Sequence, residues 1–97
     1  MIKNKNLNVK ELFKLGFKNQ KLKNFQEAIK FYNRVIKIDP TVVFTYYNLG
    51  IIFEQLRDIR QAEIYYKEAI KVKPLFIHSY NNLGIMSQNQ GQKENAI

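Results

Sequence analysis

A Leu-Gly pair recurs in this sequence at a constant interval of 34 residues, at Leu15-Gly16, Leu49-Gly50 and Leu83-Gly84. Other residues follow the same register: Ala28, Ala62 and Ala96; Tyr32 and Tyr66; Val35 and Ala69; Pro40 and Pro74. A fixed period of this length is typical of stacked helical hairpins, none of which can bury its apolar face alone. The period therefore predicts an all-α solenoid of antiparallel helix pairs.

Each period contains two amphipathic stretches of helix length, separated by residues that favour turns. We predict helices over residues 9–21, 24–37, 42–55, 59–71 and 76–89, and no strand. Asp39-Pro40 and Lys73-Pro74 separate the repeats, because proline cannot continue a preceding helix.

Three helix starts carry the signature of a capping box. Asn8 with Glu11 has the required spacing, in which the first side chain accepts from an amide of the first turn and the second reaches back. Asn24 with Glu27, and Asp58 with Gln61, repeat the arrangement. We expect all three to cap their helices.

The recurrent glycines lie inside predicted helices, where Gly costs about 1 kcal/mol relative to Ala. A close approach of the second helix of each pair would compensate for this cost. We expect Ala28 and Ala62 to supply the small opposing surface, and Tyr32 and Tyr66 to fill the wider gap toward the next repeat.

This register resembles the tetratricopeptide repeat (TPR) family, whose pattern is an aromatic, Leu-Gly, an aromatic, a small Ala, an aromatic, a small residue and a closing Pro. The resemblance extends from about Val9 to Ile97 and departs at Leu12, Asn19 and Ser87, where aromatic residues are usual. It implies one domain over residues 1–97, a right-handed superhelix of about two and a half repeats at 9–42, 43–76 and a truncated 77–97.

The second helix of the third repeat has only begun where the sequence stops at Ile97. Solenoid ends normally need a polar cap. We expect a piece of a longer array that self-associates through its open end, and the alternative is a chain whose open end another copy covers.

In the TPR family the first helix of each pair lines a concave groove. The register places fifteen residues in this predicted peptide-binding groove: Lys10, Phe13, Lys14, Phe17, Lys21, Phe44, Tyr47, Asn48, Ile51, Gln55, His78, Asn81, Asn82, Ile85 and Asn89. One end is aromatic and the other is rich in amides. The aromatic residues are candidate anchors for a peptide, although aromatics at helical spacing commonly serve packing.

Asn48 and Asn82 both directly precede a Leu-Gly pair. An amide side chain offers donors and an acceptor, which matches the main chain of an extended peptide. The pair resembles the asparagine ladder in the TPR domain of the protein O-linked N-acetylglucosamine transferases, with Lys14 interrupting the ladder. The alternative, that these amides only satisfy helix surfaces, stays open.

A second device of the family, the carboxylate clamp of chaperone cochaperones, needs Lys and Asn where this chain has Phe13 and Phe17. Binding of chaperone tails is therefore excluded as the specific function.

The net charge of +8 is uneven, with ten basic and two acidic residues through Lys37. Lys10, Lys14, Lys18 and Lys21 recur at helical spacing. We interpret them as a solvated basic face and nucleic acid as a minor alternative partner, since no zinc-finger spacing or recognition-helix motif accompanies them.

Nothing in the sequence favours catalysis or a cofactor. The sole histidine, His78, has its neighbour Ser79 about 100° around the helix, too far for a nucleophile and base pair. Cys is absent, no metal-ligand spacing occurs, and the glycines form no phosphate loop. No run approaches the roughly 20 apolar residues of a membrane span, so we expect a soluble cytoplasmic protein with no metal, no cofactor and no membrane partner.

The sequence therefore predicts a non-enzymatic scaffold that binds an extended peptide or a helix of a protein partner in its groove. Two alternatives remain at this stage. One is the substrate-targeting arm of a larger enzyme such as a glycosyltransferase, with the catalytic domain outside this chain. The other is a self-assembling structural module, a homo-oligomer joined through the open C-terminal end.

Overall fold

The computed structural model describes residues 7–76, 78 and 81–84. It contains the helices α1 (Val9–Lys21), α2 (Phe25–Ile38), α3 (Val43–Gln55) and α4 (Ile59–Val72). Residues 78 and 81–84 are also helical, and these described residues include no strand. The first four predicted helices agree with the observed ones to within one residue at each end, while most of the predicted fifth lies outside the described residues.

The chain divides between Thr45 and Tyr46 into two compact units. In unit 1, α1 packs along α2 and the first residues of α3 follow. Unit 2 contains the remainder of α3 together with α4. Each unit thus contains a Leu-Gly pair on a helix, Leu15-Gly16 in unit 1 and Leu49-Gly50 in unit 2, and the helix that follows it.

The same turn joins the two helices of each pair. Lys23 and Arg57, which are in register, adopt the left-handed conformation with φ of 63° and 67°. The next residue closes the turn, since the Asn24 and Asp58 N–H groups each donate to a carbonyl five residues back at 2.8 Å. These are Schellman-type ends, which satisfy carbonyls that the helix leaves without partners.

The capping predictions are confirmed at α1 and α4 and wrong at α2. Asn8 accepts from the Glu11 N–H at 2.8 Å, and Glu11 Oε1 accepts from the Asn8 N–H at 3.0 Å. The Asp58 carboxylate accepts from the Gln61 N–H at 3.2 Å.

Within the described chain the Asn24 side chain makes no capping hydrogen bond, and its Nδ2 instead donates to Asn19 Oδ1 at 3.4 Å. In the second repeat the position of Asn19 is taken by Phe53, which offers no acceptor. A nearby polar side chain therefore competes with the helix end for Asn24.

Two of the three recurrent glycines, Gly16 and Gly50, face tyrosine rings. A Cβ added to Gly16 would lie 2.6 Å from Tyr32 Cε1, and one added to Gly50 would lie 2.5 Å from Tyr66 Cε1. The prediction that alanines face the glycines was therefore wrong about the nearest partner. A helix without a side chain at this point leaves a flat surface, and an aromatic ring of the same hairpin covers it. Ala28 and Ala62, each four residues before one of these tyrosines, are fully buried.

The cores of the units share three positions of the register, at which both residues are fully buried: Ala28 and Ala62, Tyr32 and Tyr66, and Val35 and Ala69. Unit 1 buries Leu12, Ala28, Tyr32 and Val35, and unit 2 buries Leu49, Ile52, Ala62, Tyr66 and Ala69. The fully buried residues are apolar apart from the tyrosine hydroxyls and Thr45, whose Oγ1 has no hydrogen-bond partner in the described part of the chain.

Candidate functional site: an apolar pocket and its filled counterpart

An open pocket of about 410 Å³ lies in unit 1. Residues of α1 one turn apart form one side, and the start of α3 with the residue before it forms the other. The lining residues are Val9, Lys10, Phe13, Lys14, Val42 and Phe44. The structure thus brings together four residues of the predicted groove.

The pocket is apolar inside and basic at its edge. Its wall is almost entirely carbon, so Lys10 and Lys14 contribute their stems. Phe44 remains 48% exposed, whereas the Phe13 ring is supported by the buried Tyr32 ring, with centroids 5.4 Å apart. This combination of a fixed aromatic floor and an accessible aromatic wall can accept an apolar side chain.

The three acidic residues of unit 1 all have local partners. Glu11 caps α1, and Glu27 pairs with Lys30 at 3.6 Å. The Asp39 carboxylate accepts from the Thr41 hydroxyl at 2.6 Å and from the Thr41 N–H at 3.0 Å, and these bonds hold the pKa of Asp39 below its usual value. Through Thr45 the sequence carries ten basic residues against these three acids, so the pocket lies in a positively charged unit.

Two further predicted groove residues of α1 contact each other. The Lys21 ammonium lies 5.3 Å from the centre of the Phe17 ring, a cation–π distance. Phe17 is 45% exposed. The basic and aromatic character of the α1 surface therefore continues past the pocket.

In unit 2 the residues in register with the pocket form a packed aromatic cluster of Tyr47, Phe76 and His78. The Tyr47 ring centroid lies 5.4 Å from that of Phe76 and 5.7 Å from that of His78, and Phe76 and His78 are 5.4 Å apart. Phe76 occupies the repeat position of Val42 and is only 6% exposed. The larger Phe76 side chain thus packs between rings at the repeat position where Val42 borders the pocket of unit 1.

A hydrogen-bonded network adjoins this cluster. The Tyr66 hydroxyl donates to Glu54 Oε1 at 2.6 Å and accepts from Asn82 Nδ2 at 2.9 Å. Burial, and next the bond to Glu54, raise the pKa of Tyr66 far above its usual value, so the hydroxyl stays protonated. In unit 1 the equivalent Tyr32 hydroxyl donates to Gln20 Oε1 at 2.6 Å, an amide in place of a carboxylate.

The other predicted groove residues of unit 2 have varied environments. Tyr47 and Ile51 pack against the buried Ala62 and Tyr66, so both have a core role. Asn48 is 8% exposed, and Gln55 and Asn81 are exposed. Ile85 and Asn89 lie outside the described residues.

Sequence reasoning missed Val9 and Val42 in the pocket and Phe76 in the cluster. A signal was available, because Val42 and Phe76 are in register, each two residues after the proline that separates repeats. The tyrosine partners Gln20 and Glu54 are also in register and were missed.

Across the described residues, no group of three or more His, Cys, Asp and Glu side chains could hold a metal ion. The His78 ring packs against the rings of Tyr47 and Phe76. None of the helices in this part of the chain is both long enough and apolar enough to cross a membrane.

The sequence pattern of the tetratricopeptide repeat family matches residues 12–74. This chain belongs to that family. Two solved structures of MamA are similar to it, each 26% identical, with TM-scores of 0.82 and 0.81. Each alignment covers 92% of this chain, and 52% and 49% of the respective MamA chains. The chain therefore spans about half the length of these structures. The family match and the similarity to these structures agree on an all-α, TPR-like solenoid as its fold class.

No curated protein matches the chain. A family that binds proteins or peptides supports a role in protein interaction in general terms.

Proposed function

We propose that this TPR chain is a protein-interaction scaffold that binds an extended segment or a helix of a partner protein, with the unit 1 pocket as its main contact. The observation that carries the proposal is the accessible pocket of about 410 Å³, which has the size and apolar lining of a ligand site. None of its lining residues is a His, Cys, Asp or Glu.

The energetics favour such a contact. Burying one large apolar side chain contributes about 1.5–3 kcal/mol, and much of the Phe44 surface is available for it. The Tyr32 ring already supports Phe13, so part of the site is ordered before binding, which lowers the entropic cost of association.

Asn48 and Asn82 are a second, weaker part of the proposal, the ladder that resembles that of the O-linked N-acetylglucosamine transferases. The Asn82 Nδ2 already donates to Tyr66, so this residue would contribute its carbonyl oxygen to a peptide N–H. The double variant Asn48→Ala with Asn82→Ala should lower recovery of a bound partner in a pull-down. Unchanged recovery would remove the ladder while leaving the pocket in place.

A peptide-display selection against the full chain tests the main proposal. Phe44→Ser should reduce binding of the selected peptides about tenfold, the equivalent of about 1.4 kcal/mol. Ile64→Ser is the matched control, because Ile64 on α4 is equally exposed, at 47% against 48%. Equal binding by both variants, or no enrichment of any peptide, would contradict the proposal.

Self-association competes with partner binding for exposed apolar surface. Analytical ultracentrifugation over a tenfold concentration range measures it, and a strictly monomeric profile would remove the predicted homo-oligomer.

A further inference from the structure

We propose that the unit 1 pocket selects partner segments in which one large apolar side chain is flanked by carboxylates. This inference rests on the proposed peptide binding and adds the chemistry of the partner. It combines three observations: the size of the opening, the position of two lysines at its edge, and the local pairing of every acidic group in the unit.

The pocket has room for a large side chain. The in-register positions of unit 2 hold Tyr47, Phe76 and His78, whose rings pack at 5.4–5.7 Å from one another. Val42 stands in unit 1 where Phe76 stands in unit 2, and the pocket opens beside it. A protein can thus fill this position with an aromatic ring of its own, and in unit 1 a ring or branched side chain from a partner would take that place.

The second step is charge. Lys10 and Lys14 are four residues apart on α1, so their side chains lie on one face, about 5–6 Å apart at Cβ. Their stems line the pocket, which places the ammonium groups beside its mouth. A carboxylate on either side of the anchoring residue would meet a positive charge there.

The third step concerns the acids of unit 1. Glu11, Glu27 and Asp39 contact the Asn8 N–H, Lys30 and Thr41 respectively. Each of these contacts joins a carboxylate to a group other than Lys10 or Lys14. Charge complementarity is therefore left for a partner to supply.

Other occupants fit less well. The first residues of the chain carry Lys3 and Lys5, which have the same sign as the pocket edge. A nucleic acid would match the lysines but not the carbon wall, since phosphate contacts need donors rather than apolar surface. Both occupants are outcomes of the experiment below.

The probe is a fluorescent nonapeptide in which one phenylalanine stands between two pairs of aspartates, with binding to the full chain measured by fluorescence anisotropy. One control peptide replaces the phenylalanine by serine, and another replaces the aspartates by asparagines. We expect the first change to weaken binding about tenfold or more, and the second to weaken it several-fold at low salt with little effect at high salt.

Two protein variants localise the effect. Val42→Phe should fill the pocket and weaken binding of the probe about tenfold or more, with helical circular dichroism unchanged. Lys10→Gln with Lys14→Gln should weaken binding several-fold, whereas Lys67→Gln with Lys71→Gln should not. This second pair is exposed, has the same spacing on α4 and causes the same change in net charge.

Equal weakening by both lysine pairs would overturn the inference in favour of nonspecific charge. If peptide display selected peptides without carboxylates, and the Lys10→Gln, Lys14→Gln variant bound them as tightly as the unchanged chain does, the inference would be overturned. The proposed peptide binding would then remain intact. Displacement of the probe by a thymidine oligonucleotide but not by the unlabelled peptide would overturn both proposals. A probe that binds only after deletion of residues 1–6 would overturn the inference, because the chain's own first residues would then be the occupant of the pocket.

Discussion

Units 1 and 2 share a scaffold and differ at their surfaces. In both, a tyrosine ring lies on a helix glycine, and in both a left-handed residue joins the two helices. The position two residues after the separating proline differs, since Val42 borders an opening while the in-register Phe76 is buried in an aromatic cluster. Residues that hold a hairpin together are thus repeated, whereas those that decide whether a site is open or filled are free to vary.

The units also differ in charge. Unit 1 carries ten basic and three acidic residues, and the sequence from Tyr46 onward carries six and five. The tyrosine hydroxyls follow this difference, because Tyr32 donates to the Gln20 amide and Tyr66 to the Glu54 carboxylate. These contrasts are the basis of our proposal that unit 1 carries the binding site.

The largest expected effect concerns the shared glycine–tyrosine contact. Gly50→Ala should lower the free energy of unfolding by about 2–3 kcal/mol, because its Cβ would lie 2.5 Å from the fully buried Tyr66 ring. Gly84→Ala is the control, since no atom of the described chain lies within 4 Å of its added Cβ, and it should be neutral or stabilising by up to about 1 kcal/mol. Urea unfolding measures both, and equal effects would refute the specific role of the contact.

Val42 and Phe76 lie two residues after the separating prolines, and giving each unit the residue of the other should change the two stabilities in different ways. Phe76→Val should destabilise by about 2 kcal/mol, because it leaves a cavity beside Tyr47 and His78. Val42→Phe should cost little or stabilise, because the added ring enters existing space. Thermal unfolding followed by circular dichroism compares them, and a loss at Val42→Phe equal to that at Phe76→Val would mean that the unit 1 opening cannot accept a ring.

Replacing Tyr32 and Tyr66 by phenylalanine compares a hydroxyl that donates to an amide with one that donates to a carboxylate. Tyr66→Phe should cost about 2 kcal/mol, since it removes the bond that the hydroxyl donates to the Glu54 carboxylate and the bond that it accepts from Asn82. Tyr32→Phe should cost about 1 kcal/mol, since it removes a bond donated to a neutral amide. Glu54→Gln should reduce the Tyr66→Phe effect in a double-mutant cycle, because a neutral amide then replaces the carboxylate acceptor. A Tyr32→Phe cost as large as that of Tyr66→Phe would contradict the assignment.

The smallest effect concerns the helix caps. Asp58→Ala should destabilise by about 1 kcal/mol, because it removes the bond to the Gln61 N–H. Asn24→Ala should cost only a few tenths, since this side chain bonds Asn19 instead of the helix end. Asn19→Ala would release Asn24, after which Asn24→Ala should become more costly in the same urea assay; no change there would contradict the competition.

The predictability of each feature depended on how local its cause is. Helix bounds and the Asn8 cap follow from short patterns and were predicted correctly. A glycine in a helix, such as Gly16, predicts that another part of the chain packs closely there, but not which side chain does so. Its partner Tyr32 could therefore not be identified from the sequence. The Asn24 cap failed because its competitor, Asn19, lies outside the capping pattern.

The candidate site shows the same limit. Helical spacing on α1 placed Lys10, Phe13 and Lys14 together, as the structure does. It could not distinguish Phe44, which stays accessible, from Tyr47, which packs on the core of unit 2. Both are aromatic residues on one helix, and only their tertiary neighbours separate them.

Titration of the isotopically labelled chain with the acidic phenylalanine nonapeptide, followed by amide NMR, tests the contrast between the units most directly. Our account predicts saturable shifts concentrated at Val9, Phe13, Val42 and Phe44, and small shifts at Tyr47 and His78. Shifts that are largest at Tyr47 and His78, or that spread without saturating, would contradict it.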